Sequence, residues 1–325
     1  MTTVDSPVTS VLITGALGYI GRLTVAALAA ERRSLEHIVA VDIREPGPGE
    51  RTAGVEYVQA DIRDPDLARV MRRFGVQVVV HLAAVVNPGK DADRDFLHDV
   101  EVGGTENLLD CCLAAGVDKI IVASSGAAYG YWPDNPEWLS EDDPLRGNRE
   151  FAYSDHKRQV EEMLARWRQD HPELTQLILR PGTILGRNAR NQITDLFDRP
   201  VVMGLAGCRI PFVLIWDQDV VGVIVRGIFR PGGGIYNLAG DGVITMRQMA
   251  AALGKPYLPL PVGLVKAVLW LMKKLGVTQY GPEQVGFLRY RPVLSNRRLK
   301  EEFGYRPRKS TREVFQLFVE ARRGG

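Results

Sequence analysis

Three glycines near the N-terminus, Gly15, Gly18 and Gly21, constrain the fold of this chain most. They stand between an apolar run at residues 8–14 and a helix-like run at residues 19–30. The first glycine permits a tight turn, the second lets backbone approach a pyrophosphate, and the third lets helix and strand pack closely. The spacing is G-x-x-G-x-x-G rather than G-x-G-x-x-G, so the strand–turn–helix context carries the prediction of a dinucleotide site at a helix N-terminus.

Strand and helix patterns alternate through the first half of the chain. Apolar runs at residues 8–14, 37–42, 55–59, 76–81, 119–123 and 174–179 predict strands, with helices at 19–30, 65–74, 96–115 and 153–169. Nearly continuous apolar strands with helical crossovers indicate a parallel sheet covered on both faces. The predicted fold is therefore α/β, a doubly wound Rossmann sheet that binds its ligands at the carboxyl ends of the strands.

The regular alternation of strand and helix patterns ends after residue 180. Short strands are predicted at residues 209–215 and 234–237, with a helix at 219–229 between them, and capping boxes at Thr245 with Gln248 and at Ser310 with Glu313 open later helices. We expect residues 1–180 to bind the cofactor, with a returning segment at about 211–238. Residues 181–210 and 239–325 are expected to form a smaller, mostly helical lid over the substrate.

Charge and cysteine content exclude several classes of protein. The 325 residues carry 41 Lys plus Arg against 39 Asp plus Glu, and this near balance does not favour a nucleic-acid partner. The three cysteines make neither a disulfide framework nor a metal-binding pattern, so no metal is expected.

No membrane-spanning run is present, and residues 1–10 lack the pattern of a secretory signal, so a cytoplasmic location is expected. The apolar segment 261–272 has three interpretations. It packs on the core as a lid helix, covers an apolar ligand, or makes peripheral contact with a membrane surface.

The chemistry is predicted from Tyr153, Lys157 and Ser125. Tyr153 and Lys157 are four residues apart, which places them on the same face of a helix. A neighbouring ammonium group favours the phenolate, so Tyr153 can exchange a proton near neutral pH. Ser125 follows the fifth strand directly, where its hydroxyl can orient the reacting oxygen. Asp42 ends the second strand, and a carboxylate there suits an adenosine ribose and repels a 2′-phosphate. NAD is therefore favoured over NADP, although Arg44 softens the preference.

These motifs together resemble the extended short-chain dehydrogenases/reductases of the NAD-dependent epimerase/dehydratase type. The resembling segments are residues 14–21, 42, 61–62, 81–84, 107, 124–130, 153–157, 180–182, 217–220 and 236–237. The resemblance implies a catalytic triad of Ser125, Tyr153 and Lys157, a supporting role for Asn107 beside a proton-relay water, and a homodimer. The residues expected to bind the cofactor are Gly15, Gly18, Tyr19, Ile20, Gly21, Asp42, Ile43, Arg44, Asp61, Ile62, Leu82, Ala83, Ala84, Ala123, Ser124, Ser125, Tyr153, Lys157 and Pro181.

Departures from the family pattern narrow the reaction. Dehydratases carry an Asp-Glu pair after the serine or threonine, where this chain has Gly126 and Ala127. The apolar run at residues 210–216 favours a fairly apolar substrate, although Arg180, Arg187 or Arg209 could meet an anion. The expected activity is hydride transfer on a secondary alcohol or ketone of a small molecule. Sugar-nucleotide 4-epimerisation is the alternative, and a non-catalytic dinucleotide sensor is the alternative from another class.

Overall fold

Seven parallel strands form the central sheet of the protein. The computed structural model describes residues 7–85, 93–189, 192–278 and 281–323. The strands are β1 (Ser10–Thr14), β2 (His37–Asp42), β3 (Glu56–Gln59), β4 (Val78–His81), β5 (Lys119–Ala123), β6 (Thr175–Pro181) and β11 (Gly234–Leu238). Their order is β11-β6-β5-β4-β1-β2-β3, and every neighbouring pair is parallel. The order reverses between β1 and β4, which is where a doubly wound sheet opens a crevice for its ligand. The predicted fold class is confirmed.

Helices cover both faces of this sheet. On one face lie α1 (Tyr19–Ala30) and α7 (Asp217–Phe229), and on the other lie α2 (Leu67–Arg73), α4 (Gly104–Ala115) and α5 (Ala152–Asp170). The strands are buried on both sides, with Val11, Ile13 and Val80 in the first core and Leu12 and Val79 in the second. Alternate residues of one strand therefore serve two cores, which explains why these strands are almost wholly apolar.

The predicted long helix at residues 96–115 is interrupted. It comprises α3 (Arg94–His98), a π-helical turn (Asp99–Gly103) and α4. The wider turn holds Glu101, which is only 4% exposed. Single π-turns within helices are rare and recur at functional sites, and the apolar periodicity of this stretch contains no sign of one.

The remaining elements lie beside the sheet, and all but the short helix Arg297–Glu301 share a separate core. They are β7 (Thr183–Leu185), α6 (Gln192–Asp198), β8 (Val202–Leu205), β9 (Pro211–Phe212), β10 (Leu214–Trp216), β12 (Ile244–Thr245), α8 (Met246–Leu253), β13 (Tyr257–Leu260), α9 (Val262–Lys274), α10 (Gln284–Arg289), α11 (Arg297–Glu301) and α12 (Thr311–Arg323).

The strand predicted at residues 209–215 is two short strands. β9 pairs with β12 and β10 pairs with β7, so neither joins the central sheet. The capping boxes at Thr245 with Gln248 and at Ser310 with Glu313 are both present, and they begin α8 and α12 as predicted. We call this group of elements, apart from α11, which packs with the sheet core, the lid.

Helix α9 covers the apolar segment singled out in the sequence. Val262, Val265 and Leu269 touch the lid core, yet no residue of the helix is buried. Leu264 and Trp270 are 52% and 55% exposed. The segment is therefore a surface helix rather than a core helix. Among the residues described, no helix combines the length and the apolar character that crossing a membrane requires.

A buried ion pair joins α5 to the sheet. Arg180 at the end of β6 donates from Nε and a terminal nitrogen to the carboxylate of Glu161, at 2.5–2.9 Å. Ser124 donates to the same carboxylate at 2.5 Å, and Arg180 also donates to the hydroxyl of Tyr129 at 2.8 Å. Tyr129 in turn donates to Asn237 of β11 at 2.9 Å. Three strands and the helix that carries Tyr153 are thus held by one polar network, and Arg180 has a structural role.

Replacing Glu161 with Gln is expected to destabilise the fold by about 3–5 kcal/mol, because Arg180 would remain buried and charged without its partner. The matched control is Glu162→Gln on the same helix, which removes an exposed pair with Arg158 at 2.6 Å and should cost no more than about 0.5 kcal/mol. Urea denaturation followed by circular dichroism measures both variants. Equal losses of unfolding free energy in the two variants would contradict the structural role of the buried pair.

Candidate active site

The glycine turn is built for close approach of backbone and ligand. Gly15 has a φ of +63°, and a Cβ there would lie 2.7 Å from the backbone nitrogen of Ala83. A Cβ on Gly21 would lie 2.1 Å from the carbonyl oxygen of Gly15. Helix α1 begins after Gly18 with no side chain capping it, so its first N–H groups point into the crevice. This cradle fits a pyrophosphate at a helix N-terminus.

Asp42 ties this turn to the end of β2. Its carboxylate accepts hydrogen bonds from the backbone N–H groups of Leu17 at 3.0 Å and Arg44 at 3.1 Å. The Arg44 side chain lies 3.9 Å from the same carboxylate, and Ile43 is 61% exposed. The carboxylate is therefore fixed beside the turn, where a ribose bound there would meet it.

Asp61, predicted near the adenine, and Asn107, predicted to support catalysis, both form local contacts in the structure. Asp61 is held by the backbone and guanidinium of Arg63, with a shortest distance of 2.6 Å, and these hydrogen bonds lower the pKa of Asp61. These local contacts with Arg63 are enough to account for the position of Asp61, and its predicted contact with the adenine stays a prediction. Asn107 donates to the carbonyl oxygen of Ile62 at 2.8 Å. That contact fixes α4 against the loop after β3, and the proton-relay role of Asn107 stays a prediction.

Tyr19 reaches away from the turn. Its hydroxyl donates to Asp217 at 2.5 Å, and burial together with that carboxylate raises the pKa of Tyr19. A Cβ on Gly186 would clash with both groups. The contact therefore joins α1 to α7, and among the polar groups of Tyr19 the backbone N–H is the one left for a cofactor.

The predicted triad stands at the carboxyl end of the sheet. Ser125 follows β5, is 8% exposed, and accepts a hydrogen bond from the backbone N–H of Ala127 at 3.1 Å. Its own O–H is then available to donate to a substrate oxygen. Tyr153 and Lys157 lie on the same face of α5, with Lys157 Nζ 5.8 Å from the centre of the Tyr153 ring. Lys157 is buried, whereas Tyr153 is partly exposed.

Two buried residues lie behind Lys157: Glu101, which was not singled out in the sequence, and His81, which begins the resembling segment 81–84 but was given no role. Glu101 lies with its carboxylate 3.7 Å from Lys157 Nζ, and both groups are buried. His81 is sandwiched between the hydroxyls of Thr14 at 2.8 Å and Thr105 at 3.1 Å. Burial, and then Lys157, lower the pKa of His81 to about 3, so His81 is neutral at physiological pH. The signal available for Glu101 was an acidic residue between Val100 and Val102 in a helical run.

An aromatic cluster joins Tyr153 to the lid. The Phe151 ring lies 6.1 Å from that of Tyr153 and 4.9 Å from that of Phe287 on α10. Tyr131 packs against Phe151 at 5.8 Å. Burial raises the pKa of Tyr131, with Tyr153 adding to the rise and Arg291 opposing it. The phenol of Tyr131 is thus close enough to interact with both Tyr153 and Arg291.

Two adjoining cavities share Trp132, Pro133 and Tyr290 and extend from this cluster. We call them together the substrate cleft. Its walls combine aromatic and apolar side chains with three cationic and three acidic ones, and its lining residues include Tyr131, Trp132, Pro133, Glu137, Trp138, Glu150, Arg209, Val243, Lys266, Glu283, Phe287, Tyr290, Arg291 and Val293. The Arg291 guanidinium stacks on Phe212 at 4.2 Å and donates to Thr183 at 3.3 Å, and burial lowers the pKa of Arg291. Within the described ranges neither arginine has a carboxylate at ion-pair distance.

Comparison with known proteins identifies the family. The model of the NAD-dependent epimerase/dehydratase family matches residues 11–202, and the chain belongs to this family. An uncharacterised protein of Mycobacterium tuberculosis is 27% identical over 315 residues, covering 96% of this chain and 84% of that protein. An L-arabinose 1-dehydrogenase (NAD(P)+) of Haloferax volcanii is 32% identical over 186 residues, covering 54% of this chain and 67% of that enzyme.

Solved structures agree with this assignment. The UDP-glucose 4-epimerase of Thermus thermophilus in complex with NAD is 26% identical with a TM-score of 0.74, covering 98% of this chain and all (100%) of that one. The UDP-glucose 4-epimerase of Thermotoga maritima with UDP-glucose shares the fold at 19% identity, with a TM-score of 0.74 and coverage of 97% and 99%. NAD is accordingly the cofactor, and the glycine cradle with Asp42 fits it.

Replacing Asp42 with Asn is expected to weaken NADH binding about 10- to 100-fold, because a charge-assisted hydrogen bond to the ribose contributes about 1.5–3 kcal/mol. The amide oxygen still accepts from Leu17, so the turn should keep its shape. NADPH binding should improve, since the repelling charge is gone. Fluorescence titration with both cofactors measures this preference, with exposed Glu45→Gln as the control. Unchanged NADH affinity in the Asp42→Asn variant would remove Asp42 from the cofactor site.

Proposed function

We propose that the protein is an NAD-dependent oxidoreductase that interconverts a secondary alcohol and a ketone on a small-molecule substrate. The observation that carries the proposal is the placement of Tyr153 and Lys157 on one face of α5, beside the carboxyl end of β5, where Ser125 stands. Bound NAD supplies or accepts the hydride. The chain itself holds the substrate oxygen and moves its proton.

Each residue has a distinct role in this proposal. Tyr153 exchanges the proton of the substrate oxygen, and the Lys157 ammonium stabilises the phenolate that remains. Lys157 also donates a hydrogen bond to a hydroxyl of the nicotinamide ribose. Ser125 donates its free O–H to the same oxygen and keeps the reacting carbon oriented. His81 is neutral and held by two hydroxyls, so it adds no charge that competes with Lys157.

Dehydration is disfavoured on steric as well as chemical grounds. The family's eliminating members need an acid and a base directly after the serine, but this chain has Gly126 and Ala127. A Cβ on Gly126 would lie 2.8 Å from a methyl carbon of Leu294, which is itself buried. The space for a carboxylate side chain is therefore already filled by the lid.

The substrate cleft supports an anionic substrate with a flat or apolar part. Trp132, Trp138 and Tyr290 supply stacking surfaces. Arg209 and Arg291 supply positive charge, and among the described residues neither forms an ion pair with Glu137, which lines the same cavity. A guanidinium recognises phosphate or carboxylate through paired hydrogen bonds. This favours a sugar nucleotide, the class bound in the Thermotoga structure, over a neutral apolar alcohol. Sugar-nucleotide 4-epimerisation is accordingly the second candidate function.

Three further expectations are kept as proposals. We expect a homodimer assembled through the helices that carry Asn107 and Tyr153, and a cytoplasmic location. Residues 1–180 with a return at 211–238 are expected to bind NAD, and residues 181–210 and 239–325 to contact the substrate. The packing of α7 on the sheet and the addition of β11 to its edge support the return over residues 217–238, whereas residues 211–216 form β9 and β10 of the lid.

Replacing Tyr153 with Phe is expected to lower kcat by about 10²–10⁴-fold, because the proton donor is lost. NADH affinity should stay near that of the wild type, since the cofactor contacts of Lys157 and Asp42 remain. The measurement combines a panel of UDP-sugars and hydrophobic ketones, assayed by chromatography for product and by absorbance at the NADH band. Tyr131→Phe, which removes a phenol at the edge of the cleft, is the matched control and should lower kcat less.

The same assay separates the three candidate functions. Net formation or consumption of NADH with a substrate identifies a dehydrogenase, and an isomeric product without net cofactor change identifies an epimerase. NADH binding with no product from any panel member, and a Tyr153→Phe variant indistinguishable from the wild type, would leave the dinucleotide sensor as the function.

A further inference from the structure

The buried carboxylate of Glu101 has one cationic neighbour and no other visible purpose. One oxygen, Oε1, accepts from the backbone N–H of Val85 at 3.2 Å. The other, Oε2, has no hydrogen-bond partner among the described residues and lies 3.7 Å from Lys157 Nζ. That distance is too long for a hydrogen bond but short enough for an ion pair. Burying a carboxylate with only one of its two oxygens hydrogen-bonded costs free energy. Such a group in a native structure therefore points to a functional role.

A π-helical turn and the contacts around it fix the position of Glu101. Glu101 sits in the π-helical turn between α3 and α4, and the hydroxyl of Thr105 donates to its carbonyl oxygen at 2.5 Å. Thr105 also contacts His81 at the end of β4. Val85, which donates to the carboxylate, follows directly on the predicted nicotinamide-side segment Leu82 to Ala84. Glu101 therefore connects the catalytic lysine to the loop expected to hold the cofactor.

We propose that Glu101 is the positioning residue of Lys157. Its carboxylate holds the ammonium group towards the predicted nicotinamide-ribose site and keeps that group charged. The inference rests on the proposed role of Lys157 at the nicotinamide ribose. The carboxylate also balances the second positive charge that an oxidised nicotinamide brings to the site. Without it, Lys157 would be a buried cation facing that charge.

The other groups around Lys157 do not replace this carboxylate. Tyr153 and Glu161 lie on the same helix, but Glu161 is already paired with Arg180 at 2.5 Å. His81 approaches from β4 and is neutral. His156 faces Glu101, and burial lowers the pKa of His156. In the protein as it stands, Glu101 and Tyr153 raise the pKa of Lys157 against the opposing effect of burial.

Replacing Glu101 with Gln is expected to make Lys157 lose its proton at lower pH, because burial then acts without compensation. NADH affinity, measured by fluorescence from about pH 7 to about pH 12, a range that includes a lysine pKa raised above its ordinary value, should therefore fall with a midpoint at least about one pH unit below that of the wild type. In the wild type the raised pKa keeps Lys157 cationic up to a higher pH. Removing the charge of Glu101 therefore shifts the loss of NADH affinity to lower pH. The alkaline limb of kcat/KM should move in the same direction.

Two control variants test whether the shift is specific to the negative charge of Glu101. Glu106→Gln, an exposed carboxylate on α4, should leave the midpoint where it is in the wild type, and Glu101→Asp, which keeps the charge, should lie between wild type and Glu101→Gln. An unchanged midpoint in Glu101→Gln overturns the proposal. Since the readout is cofactor binding, it answers the question even if no substrate is turned over, and a failure of the proposed reaction is seen separately.

A second inference comes from the surface of α9. Leu264, Val268, Leu271 and Leu275 follow one another at spacings of four, three and four residues, and are between 45% and 67% exposed. They form a continuous apolar stripe of about three turns, separate from the stripe of Val262, Val265 and Leu269 that touches the lid. Exposed apolar surface of this extent marks a contact with something else.

The charges around the stripe identify the occupant. Helix α9 carries three lysines and no carboxylate, and Lys273 forms an ion pair with Glu283 beyond the helix at 3.1 Å. Lys266, Lys273 and Lys274 lie on or at the end of α9, and Lys274 stacks over Trp270 at 5.2 Å. An apolar stripe flanked by lysines and an interfacial tryptophan is the pattern of a helix that lies in a bilayer surface. We infer that α9 docks the protein on membranes that contain anionic lipids.

Co-sedimentation with vesicles tests this inference. The full-length protein should bind vesicles of phosphatidylcholine with about 30% phosphatidylglycerol, a composition that attracts cations at about 1 kcal/mol per lysine, and should bind pure phosphatidylcholine weakly. Val268→Glu combined with Leu271→Glu should abolish binding, whereas Leu196→Glu, an exposed apolar residue on α6, should not.

Either of two results overturns this second inference. One is the absence of binding to anionic vesicles. The other is a change of oligomeric state in the Val268→Glu, Leu271→Glu variant with vesicle binding unaffected, which would assign the stripe to a contact between two copies of the chain. Activity of the double variant should equal that of the wild type, because neither residue lies in the active site.

Discussion

The geometry of the site depends on the buried pair between Glu161 and Arg180. Helix α5 carries Tyr153 and Lys157 in its first two turns and Glu161 one turn further on. Arg180 lies at the end of β6, and Ser124 stands beside Ser125 at the end of β5, so a single carboxylate fixes both the helix and the serine loop. A serine and a tyrosine that must act on one oxygen need a common anchor, because a displacement of about 1 Å can cost a hundredfold in rate. A charged anchor of this kind tolerates less movement than apolar packing alone.

A second constraint acts at the other side of the crevice. Gly15 and Gly21 approach each other and Ala83 so closely that no side chain fits at either position. Asp42 then reaches across to the N–H of Leu17 and links the turn to β2. The cofactor cradle is therefore shaped by backbone contacts, while the catalytic side is shaped by buried charge. The two sides meet at the ends of β1, β4 and β5, where the order of the sheet reverses.

The sequence was most informative where one local signal had one structural meaning. Apolar strands bounded by turns, the glycine spacing and the capping boxes at Thr245 and Ser310 each specify a local conformation, and the fold and the start of both helices followed from them. Tyr153 and Lys157 could be paired because helix periodicity alone puts them on one face. Their neighbours could not be found in this way. Glu101 faces Lys157 only because a π-helical turn changes the phase of the helix, and Arg291 joins Tyr131 only through the packing of the lid on the sheet.

The residues that line the substrate cleft could not be predicted from local sequence patterns either, and they differ from those expected. The apolar run at residues 210–216 suggested a dry pocket, yet most of that run is core of the two small lid sheets. The cleft is instead formed largely by residues 131–138 and 290–293 together with Arg209, and it combines aromatic side chains with both cationic and acidic ones. Arg180, which the sequence offered as an anion ligand, is paired with Glu161. The cationic side chains that line the cleft are Arg209, Arg291 and Lys266.

A crystal structure of the protein with NAD bound tests the central claim most directly. The account predicts that Lys157 Nζ lies within about 3.2 Å of a nicotinamide-ribose hydroxyl, and that the hydroxyls of Tyr153 and Ser125 both face the nicotinamide ring. A Tyr153 hydroxyl turned towards bulk solvent, or a Lys157 that stays on Glu101 without reaching the ribose, would contradict it.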